Sequence, residues 1–120
     1  MALRRAEGWP LEVERVVDSD TLIGWLLVSP DAKSRYRLRL QGIEGGERDD
    51  PRGATGTAAL AAALTEPGAA PFHWLGSLLT RDQFGRLVGH VQRADGSLLS
   101  LQLLERGSHW RRDRTGRETH

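Results

Sequence analysis

The chain has no cysteine, and among its 120 residues only Met1, Tyr36 and Lys33 represent methionine, tyrosine and lysine. Without cysteine there is no disulfide framework, no thiolate nucleophile and no thiolate metal ligand. The four histidines, His73, His90, His109 and His120, lack the spacing of zinc ligands. No apolar run approaches the roughly 18 residues of a membrane span. The opening "MALRRAEGWPLEV" has basic residues but no apolar stretch behind them, so it does not read as a secretory signal. The expectation is a cytoplasmic protein without a membrane partner. A phosphate-cradling nucleotide loop is also missing, because no Gly-Lys-Ser/Thr follows the glycines at 45–46 or 53–56. Nor does any serine–histidine–acid spacing suggest a hydrolytic triad.

What is present is an ordinary globular composition, 38% hydrophobic and 28% charged, in a length that suits one domain with a modest core. The formal net charge is only +1, yet sixteen of the seventeen basic residues are arginine. Arginine's planar fork meets phosphate with two parallel hydrogen bonds where lysine offers a point charge.

Residues 11–17 alternate Leu11, Val13, Arg15 and Val17 against Glu12, Glu14 and Val16, a strand pattern ended by the turn Asp18–Asp20. Thr21 to Val28 reads as a second strand. Arg35 to Ile43 reads as a third, with Tyr36, Leu38 and Leu40 on one face and Arg35, Arg37 and Arg39 on the other. The segment "PRGATGTAALAAALTEPG" changes period: Leu60, Ala61 and Leu64 share one side of a helix stopped by Pro67–Gly68. Strands follow at Phe72–Leu79 and Arg86–Arg93. A last short helix starts near Ser97, sets Leu98, Leu101 and Leu104/Glu105 on successive turns, and stops at Gly107. The order of three strands, a helix, two strands and a helix predicts an α+β domain, a five-stranded Greek-key barrel of the oligonucleotide/oligosaccharide-binding (OB) type. It spans residues 9–110 and leaves 111–120 as a polar, aperiodic and disordered tail.

Acidic residues crowd the stretch "RLQGIEGGERDD", where Glu44, Glu47, Asp49 and Asp50 follow Arg39 closely. Asp20, Glu44 and Glu47 fall at the ends of neighbouring strands, so their carboxylates can converge. Hard oxygen donors on loops suit Ca²⁺ or Mg²⁺. Arg39 leads into the acidic loop and Arg86 follows the turn "DQFG". Carboxylates, a cation and two arginine forks are what phosphodiester hydrolysis needs: positive groups neutralise the phosphoryl oxygens and a carboxylate activates water.

The pattern resembles the staphylococcal nuclease family over roughly residues 11–110. "VVDSDTL" (Val16–Leu22) is similar to the family's Val-x-Asp-Gly-Asp-Thr, and "RLQGIEGGE" (Arg39–Glu47) to Arg-Leu-x-Gly-Ile-Asp-x-Pro-Glu. "RGATGTAALAAAL", "DQFGRLVGHV" (Asp82–Val91) and "DGSLLSLQLLERG" match later motifs in order. The resemblance implies a calcium-dependent nuclease that cuts DNA or RNA, preferentially single-stranded, and leaves 3′-phosphate ends. Asp20, Glu44 and the Gly45 carbonyl are implied calcium ligands, with Asp18 behind them. Glu47 is the implied general base, Arg39 and Arg86 grip the scissile phosphate, and Phe84 and Trp110 are aromatic candidates for substrate stacking. Two positions depart from the family: Glu44 stands where it has aspartate, and Gly46 where it has proline. The family's long C-terminal helix is shortened or missing, which leaves room for a partner or a dimer. The competing reading is a nucleic-acid- or protein-binding barrel with weakened or lost catalysis, and a scaffold role comes third. Retention of Arg39, Glu44, Glu47 and Arg86 favours the enzyme.

Overall fold

The computed structural model describes residues 8–45, 51–106 and 110–112. Strands β1 (Trp9–Asp18), β2 (Thr21–Ser29) and β3 (Ala32–Leu40) form an antiparallel meander. Strand β6 (Leu87–Gln92) runs parallel to β3, and β5 (Phe72–Leu75) pairs antiparallel with both β6 and β1. The five strands close into a barrel in the order β1-β2-β3-β6-β5. With helices α1 (Pro51–Leu64) and α2 (Leu99–Arg106), this is the expected α+β OB-like barrel. Among the described residues no third helix follows α2, and no helix is long and apolar enough to cross a membrane.

The inward positions of each strand fill the barrel. Leu22, Leu26, Leu38, Leu40, Trp74, Leu87 and Val91 are wholly buried, as period-2 alternation on a one-sided sheet requires. In β1 that alternation breaks. The register with β2 slips between Val13 and Arg15, so Glu14 sits in a bulge. After it, Val16 packs against the core, where simple alternation places Val17. Outside the barrel, the bulged Glu14 accepts hydrogen bonds from Trp25 Nε1 at 3.0 Å and from Arg35 at 2.8 and 2.7 Å. The Arg35 hydrogen bonds, helped by those of Trp25, hold its carboxyl down at about 2.

Helix α1 turns nearly the expected face inward, whereas α2 turns a different one. In α1 the expected Leu60 and Leu64 are buried together with Gly53, Gly56 and Ala63, while Ala61 is exposed. In α2 the buried residues are Leu99, Ser100 and Leu103, and Leu101 stands in solvent. The reason in α2 lies upstream: Asp95 takes the Ser97 N–H and hydroxyl, at 2.9 and 2.6 Å, to form a tight turn. Leu98 then bridges to Gln92 as a strand residue, so the helix begins only at Leu99. Glu66, just past α1, ties the two halves together by pairing with Arg93 of the β6–α2 connection and Arg106 of α2.

The third strand is shorter than its pattern. It stops at Leu40, because the Gln41–Gly42 turn takes Gly42 to φ +85°, a left-handed conformation that glycine tolerates readily. The chain leaves the barrel as β4 (Ile43–Gly45), which pairs with β7 (Trp110–Arg112) in a separate two-stranded sheet. Residues 110–112 are therefore strand, although 111–112 read as the start of a structureless tail.

Candidate functional site

One end of the barrel gathers the β1–β2 turn, the end of β3, strand β4 and the loop before β6. Register explains the convergence. Thr21 lies opposite Arg39, both on the face of the sheet turned away from the core residues Leu22, Leu38 and Leu40. The Leu40 N–H donates to the Asp20 carbonyl at 2.9 Å, which locks the β1–β2 turn onto β3.

Asp20 is the centre of the acidic side. Its backbone N–H donates to Asp18 Oδ1 at 3.2 Å, and its Oδ1 accepts the Thr21 hydroxyl at 3.0 Å. Its Oδ2 faces the Gly45 N–H at 3.5 Å and Arg39 Nη2 at 3.8 Å. Arg39 also donates to the Leu40 carbonyl beside it. Burial is the main cause that raises the Asp20 carboxyl above its ordinary range; Arg39 opposes the shift, and the neighbouring Asp18 adds to it.

Gly45 sits where no side chain fits. A Cβ there lies 2.6 Å from Ser19 Cβ and closer still to Ser19 Oγ. Behind it the Trp110 indole N–H donates to the Ser19 carbonyl at 2.6 Å, a buried contact that pins β7 against the β1–β2 turn. Trp110 is only 5% exposed. Its ring has no free face for a base, so in this structure it holds the site's wall instead of stacking on substrate.

The arginine side is built differently. Asp82 Oδ1 accepts the backbone N–H groups of Phe84 and Arg86, both at 2.9 Å, and its Oδ2 meets Arg86 Nε and Nη2 at 2.8 Å. Burial pushes the Asp82 carboxyl upward, but the Arg86 and Phe84 donors together outweigh it and the net shift is down. Arg86 Nη1 donates to Thr21 Oγ1 at 2.9 Å. Since the Thr21 hydroxyl in turn donates to Asp20, a polar chain Asp82–Arg86–Thr21–Asp20 crosses the site. Phe84 projects from the same loop, 66% exposed, with the Arg86 guanidinium 5.2 Å from its ring centroid.

Of the residues named from sequence, Asp18, Asp20, Arg39, Gly45 and Arg86 come together here. Glu44 lies on β4 with its side chain exposed to solvent. Glu47 lies outside the described residues, as do Gly46, Asp49, Asp50 and Gly107. Three structural partners were not singled out from sequence: Asp82, Thr21 and Ser19. Asp82 had a signal, because an aspartate four residues before an arginine across a Gly-containing turn suits an Asx-type loop. Thr21 had one as well, as the threonine of "VVDSDTL", and Ser19 had none. Among the described residues, no group of three or more His, Cys, Asp or Glu side chains forms a complete metal site. No protein-family model matches the chain, and no curated protein matches it.

Proposed function

We propose that the protein is a nuclease that hydrolyses phosphodiester bonds of DNA or RNA, with a preference for single strands, to 3′-phosphate products. The observation that carries this reading is the polar chain Asp82–Arg86–Thr21–Asp20, with Arg39 beside it. It holds two guanidinium groups at one end of the barrel, oriented before any substrate arrives. Such preorganised donors stabilise charge that develops on transferring phosphoryl oxygens. In the proposed reaction, water oxygen bonds to phosphorus as the bond to the 5′-oxygen breaks. Glu47 takes the proton of the attacking water, and the departing 5′-oxygen is protonated from the arginine side or from solvent. Arg39 and Arg86 hold the phosphate, and exposed Phe84 offers a ring for a base.

Calcium fits the acidic corner by donor chemistry. The carboxylates of Asp18 and Asp20 are hard oxygens, and Asp20 is raised mainly by its burial and further by Asp18 beside it. Asp20, Glu44 and the Gly45 carbonyl would hold the ion, and it would supply Lewis-acid neutralisation of the phosphoryl oxygens. Gly45 lies at this corner through its N–H beside Asp20, and Glu44 is its neighbour on β4 with an exposed side chain.

The test is hydrolysis of heat-denatured DNA in millimolar Ca²⁺, with and without chelator, for the natural chain and Arg86→Ala. Cleavage that stops with chelator and falls on the order of 10²-fold or more in Arg86→Ala is the expected result. Binding of the strand without cleavage would instead support the non-catalytic barrel.

A further inference from the structure

A second arginine cluster lies beside the proposed nuclease site, and that reading does not use it. On the outer face of the barrel, register aligns Arg15 of β1, Ile23 of β2 and Arg37 of β3 in one row. Ile23 is 3% exposed, so the row has an apolar floor between two cations. Arg35 extends the cluster along β3, and Arg81 and Gly85 close it from the loop before β6. Together with Tyr36 they line a cleft of about 270 Å³ that contains four arginines and no acid.

These guanidinium groups are not equally engaged. Glu14 neutralises Arg35 at 2.7 Å and stands 3.9 Å from Arg15. Arg81 donates to the Gly85 carbonyl at 2.9 Å and lies 5.3 Å over the Tyr36 ring, contacts that orient its fork without cancelling its charge. Arg37 is exposed and makes no hydrogen bond or ion pair with any described residue. Four cations and one adjacent carboxylate leave a surplus of three positive charges around the cleft.

The cleft and the site share the loop before β6 and strand β3. Gly85 lines it and lies between Phe84 and Arg86 in sequence. Arg37 stands on the same strand face as Arg39, two residues and roughly 6.8 Å away by strand rise. We infer that this cleft binds the backbone phosphates of a single strand whose scissile phosphate lies at Arg39 and Arg86, with Arg37 and Arg81 as the phosphate contacts. The inference rests on the proposed nuclease reading for the strand's direction. The ligand is a flexible polyanion that lays successive phosphates across the two sites.

The experiment measures fluorescence anisotropy of a labelled 12-nucleotide single-stranded DNA and of a trinucleotide, in chelator, across a salt series. Each lost phosphate contact on a single strand lowers the slope of log affinity against log salt by about 0.7. The variant Arg37→Gln/Arg81→Gln is expected to lose about 1.4 from that slope with the 12-mer and little with the trinucleotide. Arg37→Lys should keep most of the slope, and Arg106→Gln, on α2, should leave it unchanged. An unchanged slope in the double variant, an equal loss in Arg106→Gln, or no strand binding by the natural chain overturns the inference. So does equal competition by a glutamate decapeptide, which would make the cleft a site for acidic protein segments. Cleavage assays on the same proteins separate the two readings. Cleavage with no effect of Arg37 and Arg81 on binding defeats the cleft alone, and a reduced slope without cleavage defeats the nuclease alone.

Discussion

The two walls of the site are held by opposite means. The arginine wall is a five-residue loop, Asp82 to Arg86, in which one carboxylate satisfies two backbone N–H groups and two guanidinium nitrogens of its own segment. The acidic wall joins Ser19, Asp20, Gly45 and Trp110, and its Trp110–Ser19 contact spans 91 residues of chain. Local contacts cost little chain entropy to close, whereas distant ones need the rest of the fold to bring them together. One wall is held mostly by contacts within its own loop and reaches the other through the Arg86–Thr21 hydrogen bond; the other wall is a product of the tertiary structure.

The largest expected effect comes from removing the clamp of the distant wall. Trp110→Ala deletes a buried indole and its hydrogen bond, so a loss of about 3–5 kcal/mol is expected from chemical denaturation. The amide resonances of Phe84 and Arg86 should stay in place while those of Ser19, Asp20 and Gly45 move. If both sets shift alike, the walls are not independent.

Gly45→Ala probes the same wall more gently. Its methyl collides with the Ser19 side chain, and overpacking of this kind costs about 1–3 kcal/mol. The double variant Gly45→Ala/Ser19→Gly should recover most of that loss, since the short contacts are to Ser19 side-chain atoms. A double variant as unstable as the single one would show that the clash is not the cause.

On the local wall, Asp82→Asn leaves Arg86 facing a neutral amide. Hydrogen bonds to charged groups contribute about 1.5–3 kcal/mol, and here the stability loss should sit near the low end because the loop is partly exposed. Cleavage should fall further than stability does, because Arg86 loses its orientation. Equal losses would make Asp82 a purely structural residue.

Glu14, on neither wall, gives the smallest effect and serves as a reference. Its folded carboxyl is held at about 2, below the ordinary 4.5. The stability it contributes is therefore present above about pH 4.5 and is lost as pH falls towards 2. The urea midpoints of the natural chain and Glu14→Gln should differ at pH 6 and converge at pH 2. Exposed pairs of this type are screened by salt, so the difference should shrink in 1 M NaCl.

The same contrast sets what was legible in the sequence. The barrel could be read because Leu22, Leu26, Leu38 and Leu40 fall on the period of a one-sided strand. Arg86 and Asp20 could be placed because each lies next to a turn of recognisable chemistry. The bulge at Glu14 could not be read, because two-against-one pairing is decided by the neighbouring strand and its effect is only to exchange Val17 for Val16. The face of α2 was missed for a related reason: Leu98 was counted as helical, but the Asp95 turn and the Gln92 bridge use it as strand. Strand β7 has three residues and no periodicity, so nothing local marks it. Trp110 reads from sequence as an aromatic candidate for substrate stacking and is instead a buried clamp, a distinction that only its partner 91 residues away supplies.

The Trp110–Ser19 bond also joins the last described strand to the first turn of the barrel. A chain that stops before residue 110 contains all five barrel strands, both helices and the whole Asp82–Arg86 loop, but not the contact that closes the acidic wall. The barrel by itself is therefore not enough to make the full constellation.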